Sequence, residues 1–211
     1  MNQTLRVALI FTISGFLFCC NTSKPKKSIE DLRSAYNSES TFAEKYAKFA
    51  QAATNEGYDT LAKLFLAVSK SERIHSTNHG KVIDKLGYDS GTAEIGSFEV
   101  KSTIENLKAA IKSETFDMQS VYPGFIRDAE REKVPEIARS FNWAWNGEKT
   151  HLRYYRNASE IIGKGNEKDI PFVWYICSGC GNIYTPANVK EKCELCLTKQ
   201  DNFIGYINKT E

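Results

Sequence analysis

The sequence repeats part of itself at an offset of 76 residues. The repeat consists of the identical pairs Tyr46/Tyr122, Phe49/Phe125, Ala53/Ala129, Glu56/Glu132, Ala62/Ala138, Phe65/Phe141, Glu72/Glu148 and His75/His151. Most of these residues are apolar and stand at helical spacing, which predicts core positions of helices. A segment repeated over this length predicts a duplicated helical hairpin. The fold class is therefore expected to be mostly α.

The apolar pattern predicts four helices. Helical spacing over residues 28–87, interrupted at 55–57, predicts two long helices joined by a tight turn. Ser102 and Glu105 have the spacing of a capping box, which opens a third helix. A fourth helix is expected over about residues 134–162. Together these helices form a predicted four-helix domain.

The character of the chain changes after this domain. A Gly-Lys-Gly-Asn linker occupies residues 163–166, and β-forming and turn residues follow it. This part of the chain holds two Cys-x-x-Cys knuckles, which are formed by Cys177, Cys180, Cys193 and Cys196. Four thiolates at this spacing predict a tetrahedral site for zinc or a single iron, with disulfides as the alternative. We expect a helical domain at residues 28–163 and a small cysteine module at 171–209.

The duplicated charged residues call for a different explanation from the apolar pairs. Glu72 and His75, like Glu148 and His151, are three residues apart and therefore share a helix face. A core rarely keeps charged groups unless they are paired or bind metal. Glu39 and Glu114 precede the two Glu-x-x-His motifs by 33 and 34 residues. Two single-Glu helices and two Glu-x-x-His helices are the ligand set of di-iron and di-manganese carboxylate bundles.

The amino terminus has the pattern of an export signal. Twelve apolar residues, Val7–Phe18, are too few to span a bilayer and fit a signal peptide. Leu17–Cys20 resembles a bacterial lipoprotein cleavage box, which predicts lipidation of Cys20. We expect a signal peptide at residues 1–19 and a tether at 20–27, so the protein would be periplasmic or a membrane-anchored lipoprotein. An uncleaved membrane anchor is the alternative.

The charge distribution argues against nucleic acid as a partner. The chain has 28 basic and 26 acidic residues, and the first 27 residues hold four of the basic ones and no acid. The remainder therefore carries a net charge of −2. No basic block with interleaved aromatic residues remains to bind phosphates.

From Ser28 onward the sequence resembles the rubrerythrins. The motifs that carry the resemblance are Asn37–Ser40, Glu72–His75, Asn106–Glu114, Tyr122–Phe125 and Glu148–His151. The segment Cys180–Tyr184, together with Trp174, Tyr175 and Phe203, resembles a rubredoxin module. The resemblance implies a ferritin-like bundle followed by a rubredoxin-like domain. Unless the amino-terminal segment stays as an uncleaved anchor, any membrane attachment would be through the lipid at Cys20.

The resemblance also implies roles for individual residues. Two non-haem irons would be held by Glu39, Glu72, His75, Glu114, Glu148 and His151, with Glu72 and Glu148 as bridges. Asp117, where the family usually has Glu, would be a seventh ligand, or alternatively a hydrogen-bond acceptor beside the ligands. Tyr46 and Tyr122 would hydrogen-bond the carboxylates, with ordinary core packing as the alternative. His79 has no identical counterpart in the repeat and is expected on the surface.

The activity implied by the resemblance is reduction of hydrogen peroxide to water in oxidative-stress defence. Electrons would come from a rubredoxin or its reductase, with NADH behind them, through one iron at the four cysteines. A homodimer would pair the cysteine module of one chain with the bundle of the other. The alternative is an iron-binding or iron-oxidising ferritin-like protein whose cysteine module holds structural zinc.

Overall fold

A computed structural model describes residues 25–206, which fold as a helical bundle followed by a small sheet. The helices are α1 (Lys27–Asn55), α2 (Asp59–Lys85), α3 (Thr103–Phe116), α4 (Tyr122–Arg131) and α5 (Pro135–Gly163). Five residues with π-helical hydrogen bonding, Asp117–Val121, join α3 to α4, so the two form one long rod of the bundle. The predicted four-helix bundle is confirmed.

The small sheet follows the bundle. Its strands are β1 (Trp174–Cys177), β2 (Ile183–Tyr184) and β3 (Phe203–Tyr206). The strands are antiparallel in the order β2-β1-β3, with Ile176 opposite both Ile183 and Ile204. Single 3₁₀ turns stand at Glu167–Asp169 and Gln200–Asn202. The expected small β module after the bundle is present.

The predicted signal peptide, most of the predicted tether and Cys20 lie outside the described residues. Within residues 25–206, none of the helices is both long and apolar enough to cross a membrane.

The repeat is visible in the core as two matching aromatic clusters. In the first, the rings of Phe49 and Phe65 are 5.6 Å apart. In the second, the equivalent rings of Phe125 and Phe141 are 5.3 Å apart. The aromatic pairs of the repeat therefore form the core, as their spacing predicts.

The repeated glutamates Glu56 and Glu132 cap helices. The carboxylate of Glu132 accepts hydrogen bonds from the backbone N–H groups of Lys27 and Ser28, both at 3.0 Å, at the start of α1. Glu56 accepts one from the N–H of Thr103, also at 3.0 Å, at the start of α3. A carboxylate there satisfies N–H groups without helical partners and complements the helix dipole.

Replacing Glu132 with Ala should destabilise the bundle. The variant leaves the first N–H groups of α1 without their acceptor, so we expect a loss of about 1–2 kcal/mol in the free energy of unfolding. Urea titration measures this loss, with Glu130→Ala as the control on the exposed face of α4. Equal stability of both variants would contradict the capping role.

Candidate metal centres

Six buried side chains from four helices meet in the middle of the bundle. Glu39 comes from α1, Glu72 and His75 from α2, Glu114 from α3, and Glu148 and His151 from α5. Each is at most 2% exposed. The spacing of three residues puts Glu72 beside His75 and Glu148 beside His151 on inward faces, as predicted.

The six residues form two overlapping groups. One contains Glu39, Glu72, His75 and Glu148, and the other contains Glu72, Glu114, Glu148 and His151. Within each group the candidate ligand atoms all lie within 4.8 Å of one another. Glu72 and Glu148 belong to both groups, which is the arrangement expected of bridging carboxylates.

The two histidines occupy equivalent places. Nδ1 of His75 lies 3.0 Å from Glu72 Oε2 and 3.7 Å from both Glu39 Oε2 and Glu148 Oε1. Nδ1 of His151 lies 3.3 Å from Glu72 Oε1, 3.2 Å from Glu114 Oε2 and 3.7 Å from Glu148 Oε2. Ligands placed about 2.1 Å from an octahedral ion are separated by about 3 Å, so these spacings suit a metal.

The charges of the group also fit metal ions. Four carboxylates are buried together, and Glu39 Oε2, Glu72 Oε1 and both oxygens of Glu148 have no hydrogen-bond partner. Buried charges without partners are costly. Burial raises the pKa of Glu148 well above its ordinary value, and the negative charges of Glu72 and Glu114 raise it further. The donor set therefore suits cations that take oxygen and imidazole ligands.

The raised pKa values of the two histidines reflect the negative charge of the surrounding carboxylates. Burial lowers the pKa of His75, but the carboxylates of Glu39 and Glu72 outweigh burial and raise it to about 9. Burial is outweighed in the same way at His151, where Glu72 and Glu114 raise the pKa to about 10. Metal ions would take the place of these protons, since metal binding releases protons from its ligands.

Ser71 fixes the tautomer of His151. Its hydroxyl donates to the backbone carbonyl of Gly181 at 2.6 Å and lies 2.8 Å from Nε2 of His151. Because the single hydroxyl proton is used, Nε2 must donate to Ser71. Nδ1 is therefore the nitrogen that would release its proton and act as the ligand atom.

Tyr46 and Tyr122 hold the two outer carboxylates. The hydroxyl of Tyr46 donates to Glu114, and that of Tyr122 donates to Glu39. Both tyrosines are almost fully buried, at 0% and 3% exposure. The structure thus places each tyrosine at a carboxylate and in an aromatic cluster at the same time.

Asp117 is not brought into either group. It is the first residue of the π turn, is 7% exposed, and lines a cavity of about 300 Å³ that also touches Glu39 and Tyr122. Burial, followed by the charges of Glu39 and Glu114, raises its pKa to about 8. The carboxyl group therefore stands beside the cluster, as the alternative role allows.

The π turn explains an irregularity in the repeat. Glu39 and Glu114 are 75 residues apart, whereas Tyr46 and Tyr122 are 76 apart. One extra residue therefore enters the second half between Glu114 and Tyr122, where the π turn accommodates it. Such single insertions are common at functional sites. The change of offset in the sequence is the signal that locates this turn.

His79 is buried, so its expected position on the surface was wrong. It is 0% exposed, with Nδ1 2.7 Å from Ser140 Oγ and Nε2 3.4 Å from the hydroxyl of Tyr122. An offset of 76 pairs it with Tyr155, which packs on Tyr46 as His79 packs near Tyr122. A search for identical pairs misses this equivalence because the residue types differ.

His79 should make the protein sensitive to acid. Burial lowers its pKa from 6.5 to about 4, so the unfolded chain takes up the proton first as the pH falls. The stability due to neutral His79 is complete above pH 6.5 and is lost toward pH 4, by about 3 kcal/mol. His79→Gln does not titrate and should lose correspondingly less stability in urea titrations over this range. Equal acid sensitivity would contradict this effect.

The four cysteines of the module also form one cluster. Their sulfur atoms lie within 4.8 Å of one another, with Cys177–Cys196 and Cys180–Cys193 each 3.4 Å apart. All four are free thiols, so the disulfide alternative is not what the structure shows. Sulfur ligands about 2.3 Å from a tetrahedral ion are about 3.8 Å from one another, close to the separations seen here. The cluster therefore suits iron or zinc.

Two neighbouring hydroxyl groups support the sulfur atoms. The hydroxyl of Tyr184 donates to Cys193 Sγ at 3.3 Å, and Thr198 Oγ1 lies 3.1 Å from Cys196 Sγ. Hydrogen bonds to coordinating sulfur tune the metal and fix the ligand.

Comparison with known proteins places the chain in a family. The family model described as rubrerythrin matches residues 30–159. Rubrerythrin-2 of Clostridium acetobutylicum is 33% identical over 175 residues, which cover 83% of this chain and 94% of that protein. Nigerythrin of Nitratidesulfovibrio vulgaris is 29% identical over 182 residues, which cover 85% of this chain and 86% of nigerythrin.

Solved structures agree with the sequence comparison. The partially reduced state of nigerythrin superimposes with a TM-score of 0.75 at 25% identity, covering 97% of this chain and all of that one. The fully reduced, all-ferrous state of nigerythrin gives a TM-score of 0.74 at 26% identity, again over 97% of this chain. With a bundle of two overlapping carboxylate–histidine groups and a four-cysteine module, the chain belongs to the rubrerythrin family.

Proposed function

We propose that this protein is a peroxidase that reduces hydrogen peroxide to water. The observation that carries the proposal is the pair of overlapping groups that share Glu72 and Glu148, with a four-cysteine cluster in the same chain. Membership of the rubrerythrin family supports an oxidoreductase. The all-ferrous state of the similar nigerythrin structure supports iron as the metal.

The residues would divide between two irons. Glu39 and His75 would hold one ion, Glu114 and His151 the other, and Glu72 and Glu148 would bridge them. Two irons bound there would supply the two electrons that, with two protons, convert hydrogen peroxide into two molecules of water.

The protein residues around the centre position its ligands and limit access. Tyr46 and Tyr122 orient Glu114 and Glu39 through their hydroxyl groups. The cavity beside Glu39 has a volume of only about 300 Å³ and includes Phe42 and Phe125 in its wall. This cavity has room for a molecule of hydrogen peroxide beside Glu39.

The cysteine cluster would handle the electrons one at a time. A single iron at Cys177, Cys180, Cys193 and Cys196 would accept electrons from an external donor such as a rubredoxin or its reductase. Two such transfers would replace the two electrons that each hydrogen peroxide consumes. A homodimer and export with lipidation at Cys20 are further parts of the proposal. For lipidation, the mass of the mature amino terminus is the test.

The visible spectrum and metal content of the purified protein test the assignment of the cysteine site. Iron bound by four thiolates absorbs visible light, whereas zinc is colourless. The proposal predicts a coloured protein whose colour disappears on reduction. A colourless protein with zinc at the cysteines would instead favour the iron-oxidising alternative.

A further inference from the structure

Lys45 is a buried cation on α1. It is 8% exposed, whereas Lys48, three residues further along the same helix, lies on the exposed face. The ammonium group of Lys45 donates a hydrogen bond to Ser113 Oγ at 3.0 Å. It also lies 4.3 Å from the centre of the Phe42 ring and 5.0 Å from that of Tyr46. Lysine is rarely buried unless it is paired, so this position calls for an explanation.

The ammonium group stands near one end of the carboxylate cluster. Ser113 precedes Glu114 in the chain, and Tyr46, whose ring the ammonium contacts, donates to Glu114. Burial lowers the pKa of Lys45, while the negative charges of nearby carboxylates, that of Glu114 first among them, oppose this shift. The aromatic faces also favour a positive charge. These interactions keep a cation near the end of the cluster that holds Glu114 and His151.

The other end of the cluster has an apolar residue in the equivalent place. At the offset of 76 the counterpart of Lys45 is Val121, which lines the cavity of about 300 Å³ beside Glu39. The residues that precede Glu39 and Glu114, by contrast, are both serine. The repeat thus preserves the ligands and their neighbours but places a lysine at one end only.

We propose that Lys45 makes the two ion positions of the bundle unequal. A fixed positive charge repels a cation, so the position at Glu114 and His151 binds a divalent metal more weakly than the position at Glu39 and His75. The same charge opposes the additional positive charge of ferric iron and therefore favours the ferrous state. This inference rests on the ligand assignment of the proposed function and goes beyond it by ranking the two positions.

Cobalt binding to the metal-free chain tests the ranking. Lys45→Met keeps a side chain of similar length without the charge, so the more weakly held bundle ion should bind about tenfold more tightly. Lys45→Arg keeps the charge and should bind like wild type. Lys48→Met is the matched control, since it removes a charge from the exposed face of the same helix. Titration calorimetry measures the affinities, and cobalt at the cysteines is counted separately through its thiolate absorption.

Two further backgrounds locate the effect. His75→Ala leaves a complete ligand group only at the Glu114 position, where Lys45→Met should tighten cobalt binding. His151→Ala leaves one only at the Glu39 position, where the gain should be smaller. Equal gains in the two backgrounds would overturn the ranking. If neither background holds cobalt in the bundle, the second binding step of the chain with both histidines decides the question.

The reduction potential of the iron-loaded bundle is a second readout. Removal of the positive charge stabilises ferric iron, so the midpoint potential should be lower in Lys45→Met than in wild type, Lys45→Arg and Lys48→Met. Anaerobic redox titration with Mössbauer spectroscopy measures it, because the spectrum separates the bundle irons from the iron bound by thiolates. The same potential in all four proteins would show that Lys45 does not favour the ferrous state.

The outcomes separate this inference from the proposed function. If wild type binds two bundle ions and Lys45→Met leaves both affinities unchanged, the ranking fails and the metal centre stands. Equally tight binding by Lys45→Arg would assign the effect to packing, and a Lys45→Met chain that does not fold would assign Lys45 a structural role. Either result overturns the inference. If wild type binds no cobalt in the bundle, the metal centre is refuted and both proposals fail.

Discussion

Replacing Glu72 with Gln should remove both ions from the bundle and leave the iron of the cysteine cluster in place. Glu72 belongs to both groups, and an amide is a poorer ligand for iron than a carboxylate. Glu39→Gln is the control with a smaller effect, because Glu39 belongs to one group only. Metal analysis after iron loading measures both results.

The same variant should be more stable than wild type when neither contains metal. Burial and the negative charge of Glu39 raise the pKa of Glu72 to about 7, so above pH 7 the ionised carboxylate costs stability that the amide does not. Thermal unfolding of the metal-free proteins at pH 8 tests this. Bundle iron retained by Glu72→Gln would contradict the role of Glu72 as a shared ligand. Loss of the cysteine iron in the same variant would contradict two independent centres.

Replacing Gly147 with Ala should displace His75. A Cβ on Gly147 would lie 2.3 Å from Cε1 and 2.7 Å from Nε2 of His75. The ring has little room to move away, because Gly181 stands close to its Nε2 as well. We expect weakened metal binding in the group that contains His75, and overpacking that costs about 1–3 kcal/mol in unfolding free energy.

The sign of the change in unfolding free energy distinguishes this close approach from an ordinary Gly→Ala change in a helix. In an exposed helix, Gly→Ala usually stabilises by about 0.5–1 kcal/mol. Gly124→Ala is the matched control, since the atom nearest to its new Cβ would be at the flexible end of Arg127, 3.9 Å away. Urea titration and metal analysis compare the two variants. A Gly147→Ala protein as stable and as rich in metal as the control would contradict the close approach.

The repeat explains why so much of the centre could be predicted from the sequence. Glu72, His75, Glu148 and His151 recur at one offset and at helical spacing, and these two facts place them on facing helices. The cysteine knuckles are similarly local, because the spacing within each knuckle brings its two thiolates together. In both cases a short spacing places two ligands together, and a second copy of the motif supplies the other two.

The features that were missed depend on tertiary structure. His79 was misplaced because its equivalent in the repeat is Tyr155, a different residue type whose environment only the packing reveals. The contact between Gly181 and His75 joins residues more than 100 positions apart, and no local pattern specifies it.

The central claim is that the reduced bundle centre reacts with hydrogen peroxide as its oxidant. The most direct measurement is anaerobic stopped-flow spectroscopy of iron-loaded, fully reduced protein mixed with either hydrogen peroxide or dioxygen. The account predicts rapid oxidation by hydrogen peroxide, with one molecule consumed for every two electrons, and slower oxidation by dioxygen. Rapid oxidation by dioxygen with no response to hydrogen peroxide would contradict it.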